Sequence, residues 1–147
     1  MMVRRAGESD LEPLVALAAA FYRQEGFRTP EAALRAHLRV LLGQPAARVA
    51  VIGQDGALLA FAITTTSFGL ENGLIAELED LYVRPDARQT GCGQALIEDS
   101  RRWARGIGCS QLELVIAPND GDPTHLDTYY QARGFRDEGR RLLSQPL

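Results

Sequence analysis

The residues best suited to chemistry sit close together near the middle of the chain. Glu77, Glu79 and Asp80 place three carboxylates within four positions, and Arg88-x-x-Gly91-x-Gly93 follows shortly after. On a strand, residues two apart project to one side, so Glu77 and Glu79 share a face and Asp80 takes the other unless a bulge shifts the register. Carboxylates so placed attract a cationic group and can take up its proton. The same pattern also describes an acidic strand edge with surface ion pairs. Arg88 offers a charge-assisted contact, and glycines let successive backbone amides at a helix start approach an anion closely. Glycines at this spacing also serve any tight strand-to-helix turn. No Gly-Lys-Ser/Thr ending is present, and Leu96 stands where a dinucleotide loop needs its third glycine, so both nucleotide-fold readings weaken.

Other reactive side chains read more plainly. Cys92 and Cys109 make neither a disulfide framework nor a zinc-ligand spacing, so no metal is expected and the thiols suit a reducing compartment. His37 falls among Leu34, Leu38 and Leu41 on the apolar side of a helix and reads as a partly buried core histidine. His125 reads mainly as helix-end packing, and Trp103 as a core anchor. Arg101, Arg102 and Arg105 form either a phosphate contact or a solvated helix face.

The elements that must position these residues follow from periodicity. Ser9-x-x-Glu12 has the form of a capping box, and apolar residues at helical spacing predict a first helix over residues 10–23, broken at Gly26. Thr29-Pro30 opens a second helix ending at Gly43. Residues 48–52 and 57–66 read as antiparallel strands joined by Gly53-Gln54-Asp55-Gly56. An extended run over 74–83 leads through the glycine loop into a helix carrying Leu96, Trp103 and Ile107. Residues 112–117 then read as a strand, a short helix runs through Tyr129-Tyr130, and 135–143 looks strand-like.

The chain has 147 residues, 46% of them hydrophobic and 24% charged, with a net charge of −3. That composition supports one compact domain over 1–147 and gives no overall positive field for nucleic acid. No apolar segment approaches the length of a signal peptide or membrane span, so neither membrane nor nucleic acid is expected as a partner, and the setting reads as cytoplasmic.

Arg88-x-x-Gly91-x-Gly93, preceded by the Leu81-Tyr82-Val83 strand and followed by Tyr130-x-x-x-Gly134-Phe135, resembles the GNAT family of N-acetyltransferases over almost the whole chain. The resemblance implies an α/β (α+β) fold with a mixed central sheet, splayed fourth and fifth strands and about four helices. It implies acetyl-coenzyme A as cosubstrate. Backbone groups of Leu81 and Val83 would face the pantetheine and acetyl carbonyl. The loop of Arg88, Gln89, Gly91, Cys92 and Gly93, with Gln94 beside it, would hold the pyrophosphate. Asn119 is the nearest candidate for the family's asparagine contact, whose usual position holds Pro123.

By the same resemblance Tyr130 would protonate the departing thiolate, against the alternative of simple aromatic packing. Glu79 or Glu77 would act as base or ammonium anchor, Asp80 would join Glu79 at the acceptor, and Tyr22 and Phe27 would wall the acceptor pocket. Leu78-Glu79-Asp80-Leu81-Tyr82-Val83 is similar to the pattern of polyamine acetyltransferases except at Leu81. The implied reaction is direct acetyl transfer to a primary amine of a small, cationic acceptor. Its alternatives are acetylation of a protein amino terminus and non-catalytic acyl-coenzyme A sensing. A homodimer is compatible with each.

Overall fold

In the computed structural model, which describes residues 1–117 and 123–147, five strands form one sheet in the order β1-β2-β3-β4-β5. These are β1 Val3–Arg5, β2 Arg48–Gln54, β3 Ala57–Gly69, β4 Gly73–Val83 and β5 Leu112–Glu113. Neighbours are antiparallel up to β4, and β5 runs parallel to β4, which makes the sheet mixed. The helices are α1 Leu11–Glu25, α2 Glu31–Leu42, α3 Cys92–Gly106 and α4 Pro123–Gln131. None of the helices is long and apolar enough to cross a membrane, among the described residues.

Alternation along β2 and β3 sends side chains to both faces, and each face has its own core. Val49, Val51, Phe61, Ile63 and Tyr82 pack with Leu11, Leu14, Val15, Leu34 and Leu38 from α1 and α2. Ala50, Ile52, Ala60, Ala62 and Leu78 pack with Cys92, Leu96 and Ile97 from α3, and Tyr129, Tyr130 and Phe135 lean on that second core. Small alanines on this face let α3 approach the sheet closely. Beneath α3, Arg48 binds Asp99 through two bonds of 2.7 and 3.0 Å, and the Thr64 hydroxyl donates to Ser100 at 3.0 Å.

Helix entry differs from the sequence pattern. Ser9 and Glu12 form no capping box; instead a short 3₁₀ turn, Glu8–Asp10, precedes α1, and the Asp10 carboxylate accepts the Gly7 amide at 2.8 Å and both arms of Arg4. Glu12 is thereby left to bind Arg35 of α2 at 2.8 and 3.0 Å, fastening the two helices. Gly26, at φ +76°, ends α1 in the left-handed conformation that glycine adopts most easily.

Two strand expectations fail. The run over 112–117 is a strand only at Leu112–Glu113, and 135–143 has no strand. A two-residue β5 offers no edge long enough to pair with the tail, and Gly139 at φ +75° interrupts an extended path. The tail is tied instead by Arg140 to Glu71 at 2.8 Å.

Candidate active site

The pairing of β3 and β4 slips between Ile63 and Thr64: Ile63 opposes Asp80, whereas Thr64 opposes Leu78. Glu79 is therefore the extra residue of a bulge, and a bulge turns the side chains beyond it. Leu78 and Leu81 both belong to the α3 face, while Tyr82 belongs to the α1–α2 face. This is the register shift that exempts Asp80 from pointing away from Glu79. Both carboxylates line one cavity of about 280 Å³ between the sheet and α1–α2.

Inside that cavity Thr65 donates to Glu79 at 2.8 Å, and the Tyr22 hydroxyl donates to Asp80 at 3.1 Å. Burial, opposed by that hydrogen bond and reinforced by Glu79, pushes the Asp80 carboxyl above its ordinary range. Burial and Asp80 push the Tyr22 phenol up to about 12. Phe27 is absent from the lining and acts on it through Tyr22, whose ring it meets edge-on at 5.2 Å. Glu77 also stays outside the lining; it lies opposite Glu113 of β5, and burial with Glu79 and Glu113 raises its pKa. His37 is exposed and lines the cavity, rather than being a partly buried core residue. Thr65 is a further lining residue that sequence reasoning passed over, since only the β3–β4 register brings it to Glu79.

The same bulge controls the other edge of β4. The Ala76 amide donates to Gln111 on the β5 side, whereas the Arg84 amide donates to Leu59 on the β3 side. Both numbers are even, so the extra residue between them reverses the alternation and leaves Leu81 and Val83 with backbone groups facing away from β3. Pairing of β4 with β5 stops at Glu77 and Glu113, so no strand among the described residues covers that edge. This opening is the splay of β4 and β5.

At its end the chain passes through a 3₁₀ turn, Pro85–Ala87, into α3. Gln89 at φ +61° and Gly91 at φ +91° curl residues 88–93 so that α3 begins with no side-chain cap on its amides. Thr90 braces the loop through Ala87 carbonyl at 2.5 Å. The Arg88 guanidinium donates to the Val83 carbonyl at 3.0 Å and to Gln24 of α1 at 2.7 Å, so the side chain ties loop to strand and helix. Cys92 points into the core, only 3% exposed, and offers an anion its backbone amide alone. Gly93 is needed for packing: a side chain there would run into the Tyr129 hydroxyl. Gln94 is exposed on the first turn of α3.

Tyr130 meets Tyr129 edge-on at 5.1 Å and Phe135 at 5.7 Å, on the same face as Leu81 and Val83. Burial, with Tyr129 next, pushes its phenol up to about 12. Asn119 lies outside the described residues. An uncapped helix start and an open strand edge together suit a ligand carrying phosphates at one end and amides along its length, which is the chemistry of coenzyme A.

The sequence profile of the acetyltransferase (GNAT) family matches residues 11–135. An aminoglycoside N(6')-acetyltransferase type 1 of Klebsiella aerogenes is 38% identical over 112 residues, covering 72% of this chain and 70% of that protein. A thialysine N-epsilon-acetyltransferase of Bos taurus is 31% identical over 84 residues, 57% of this chain and 48% of that one. The solved structure of AAC(6')-Iy in complex with a bisubstrate analogue, CoA-S-monomethyl-acetylneamine, superposes with a TM-score of 0.82 at 23% identity, over 99% of this chain and 97% of that one.

Proposed function

We propose that this chain, which belongs to the GNAT acetyltransferase family and is an acetyl-coenzyme A-dependent N-acetyltransferase, acts on a primary amine of a small molecule through the residues described above. The observation that carries the proposal is the β4 bulge, which sets an acidic cavity on one side of the strand and an open backbone edge on the other. Acetyl-coenzyme A supplies the thioester whose acetyl group is transferred. Leu81 and Val83 hold the pantetheine and acetyl carbonyl through their backbone groups, and the amides of residues 88–93 hold the pyrophosphate. Arg88 positions that loop, with Gln89, Gly91, Cys92, Gly93 and Gln94 contributing its turn and first helical amides, and Asn119 is carried over from the family resemblance as a further coenzyme contact.

Asp80 holds the acceptor ammonium, and Glu79, the more exposed carboxylate, removes one proton to give a neutral amine. Glu77 adds negative charge behind it, while Tyr22, backed by Phe27, fixes Asp80. The amine nitrogen attacks the acetyl carbon, the carbon–nitrogen bond forms as the carbon–sulfur bond breaks, and Tyr130 protonates the departing sulfur. The amine's second proton passes to solvent. The products are an N-acetylated amine and a free thiol. The same reading places one such domain over 1–147 in the cytoplasm, where a second copy of the chain could wall the acceptor site.

The relatives' acceptors, an aminoglycoside at N(6') and thialysine at N-epsilon, differ in the body that carries the acetylated nitrogen, so the amine is what we carry over. Turnover of acetyl-coenzyme A against a panel of primary amines, with mass detection of the product, tests the reading. Coenzyme binding without transfer to any amine would point to a sensor, and transfer only to peptide amino termini would point to a protein acetyltransferase.

A further inference from the structure

Glu79, the carboxylate that takes the amine's proton in the reading above, lacks the two restraints that usually fix a side chain on a strand. It is exposed, so packing does not orient it. The slip between the pairs Ile63–Asp80 and Thr64–Leu78 also leaves it without a partner on β3. A residue left out of the ladder keeps freedom that its paired neighbours lose. What restrains Glu79 is the Thr65 hydroxyl, which donates to its Oε1 at 2.8 Å. Thr65 pairs with Glu77 in the ladder, and its hydroxyl reaches past that partner to the bulge.

The donor itself is well fixed. On one side of it the fully buried Thr64 donates to Ser100 of α3 at 3.0 Å, and on the other Thr66 donates to the Ala46 carbonyl, just before β2, at 2.9 Å. Three consecutive threonines thus bind three different parts of the fold, and the outer two hold β3 in place around the middle one. A β-branched side chain is stiff at χ1, so the strand sets the direction of the Thr65 hydroxyl. Asp80 is held in the same way, with Tyr22 donating to its Oδ1 at 3.1 Å. Each carboxylate therefore has one oxygen tied to the wall. Among the described residues the other oxygens, Oε2 of Glu79 and Oδ2 of Asp80, receive no hydrogen bond from the protein and stay open to N–H donors.

Resting on the acetyl-transfer reading above, we propose that Thr65 is a positioning residue for the reaction: it holds Oε1 of Glu79 so that Oε2 meets the amine proton, as Tyr22 holds Asp80 to meet the ammonium. The proton passes from nitrogen to Oε2 and leaves its electron pair on nitrogen for the attack. Thr65 acts through Glu79 and not by itself.

The test is a double-substitution cycle in the full chain: parent, Thr65→Val, Glu79→Gln and both together. Steady-state rates are measured at saturating acetyl-coenzyme A with whichever amine of the panel turns over best, neamine and thialysine included. Thr65→Val keeps the branched shape and removes the donor; kcat should fall about ten-fold, with KM for acetyl-coenzyme A within two-fold of the parent. Thr65→Ser keeps the hydroxyl and should retain most of kcat. In the Glu79→Gln background Thr65→Val should change kcat by less than two-fold, because the group it positions is gone. Thr66→Val, which loses a comparable bond to Ala46, should leave kcat in place. A ten-fold loss from Thr65→Val with glutamine at 79 as well, a kcat unchanged in Thr65→Val, a Thr65→Val chain that does not fold by circular dichroism, or an equal loss in Thr66→Val overturns the proposal and leaves acetyl transfer standing. An unchanged kcat in Glu79→Gln removes Glu79 as base and this proposal with it, and no turnover of any amine by the parent overturns the acetyl-transfer reading too.

Discussion

In the proposed mechanism Tyr130 and the carboxylate pair do different work, and their substitutions separate it. Tyr130→Phe keeps the ring that packs against Tyr129 and Phe135 and removes the proton donor. Its kcat should fall by about 10²-fold or more, the scale of a lost general acid, with KM for acetyl-coenzyme A little changed in steady-state assays. Asp80 calls for the opposite pair of readouts. Its pKa is raised in the fold, so its favourable contribution to stability is complete below the ordinary aspartate value and is lost as pH rises through the raised one. Above that raised value the ionised Asp80 is therefore a cost to the fold, and there Asp80→Asn should melt at or above the parent temperature while its KM for the amine rises about ten-fold. A lower melting temperature with unchanged amine KM would make Asp80 a structural residue. At this scale Glu79 and Asp80 stood out by type and spacing and Tyr22 by the family resemblance, and the fold brings all three to one cavity. Thr65 and the exposure of His37 did not stand out, since both depend on what β3 and α2 are set against.

The bulge in β4 and the start of α3 are the elements on which the site depends. Glycine at 91 follows from its left-handed backbone, at φ +91°, whereas glycine at 93 follows from a neighbour, the Tyr129 hydroxyl. Gly93→Ala should destabilise by about 1–3 kcal/mol through overpacking, measured by denaturant unfolding. Adding Tyr129→Phe, which removes the obstructing oxygen, should restore most of that loss. If the double substitution is no more stable than Gly93→Ala alone, the close contact is not the cause. The glycine pattern was readable from sequence, but its two reasons were not, because one is local backbone geometry and the other a long-range contact. The bulge is a comparable case. Period-two alternation fixes sides only while pairing is regular, and where β3 and β4 slip is settled by the two cores they must fill. The unmade strand over 135–143 shows the converse: extended propensity without an edge to pair with gives no strand.

Across the whole molecule, in the proposed mechanism, the sheet separates two halves of the reaction. Its α1–α2 face holds the amine cavity, its opposite face holds Tyr130, and the splayed edge of β4 lies between them. Acetyl-coenzyme A should therefore slow hydrogen exchange at Leu81, Val83 and residues 89–93 while leaving β1 and the β2 amides unchanged, and should raise the melting temperature with its concentration. Uniform protection over both faces would mean a different binding mode. The central claim is that one strand presents acetyl thioester and amine to each other from its two sides. Its most direct measurement is product analysis after incubating the enzyme with labelled acetyl-coenzyme A and a primary amine. The account predicts equal amounts of N-acetylated amine and free coenzyme A thiol, with the yield abolished or strongly reduced in Tyr130→Phe. Coenzyme A bound tightly, with no label transferred to any primary amine, would contradict it.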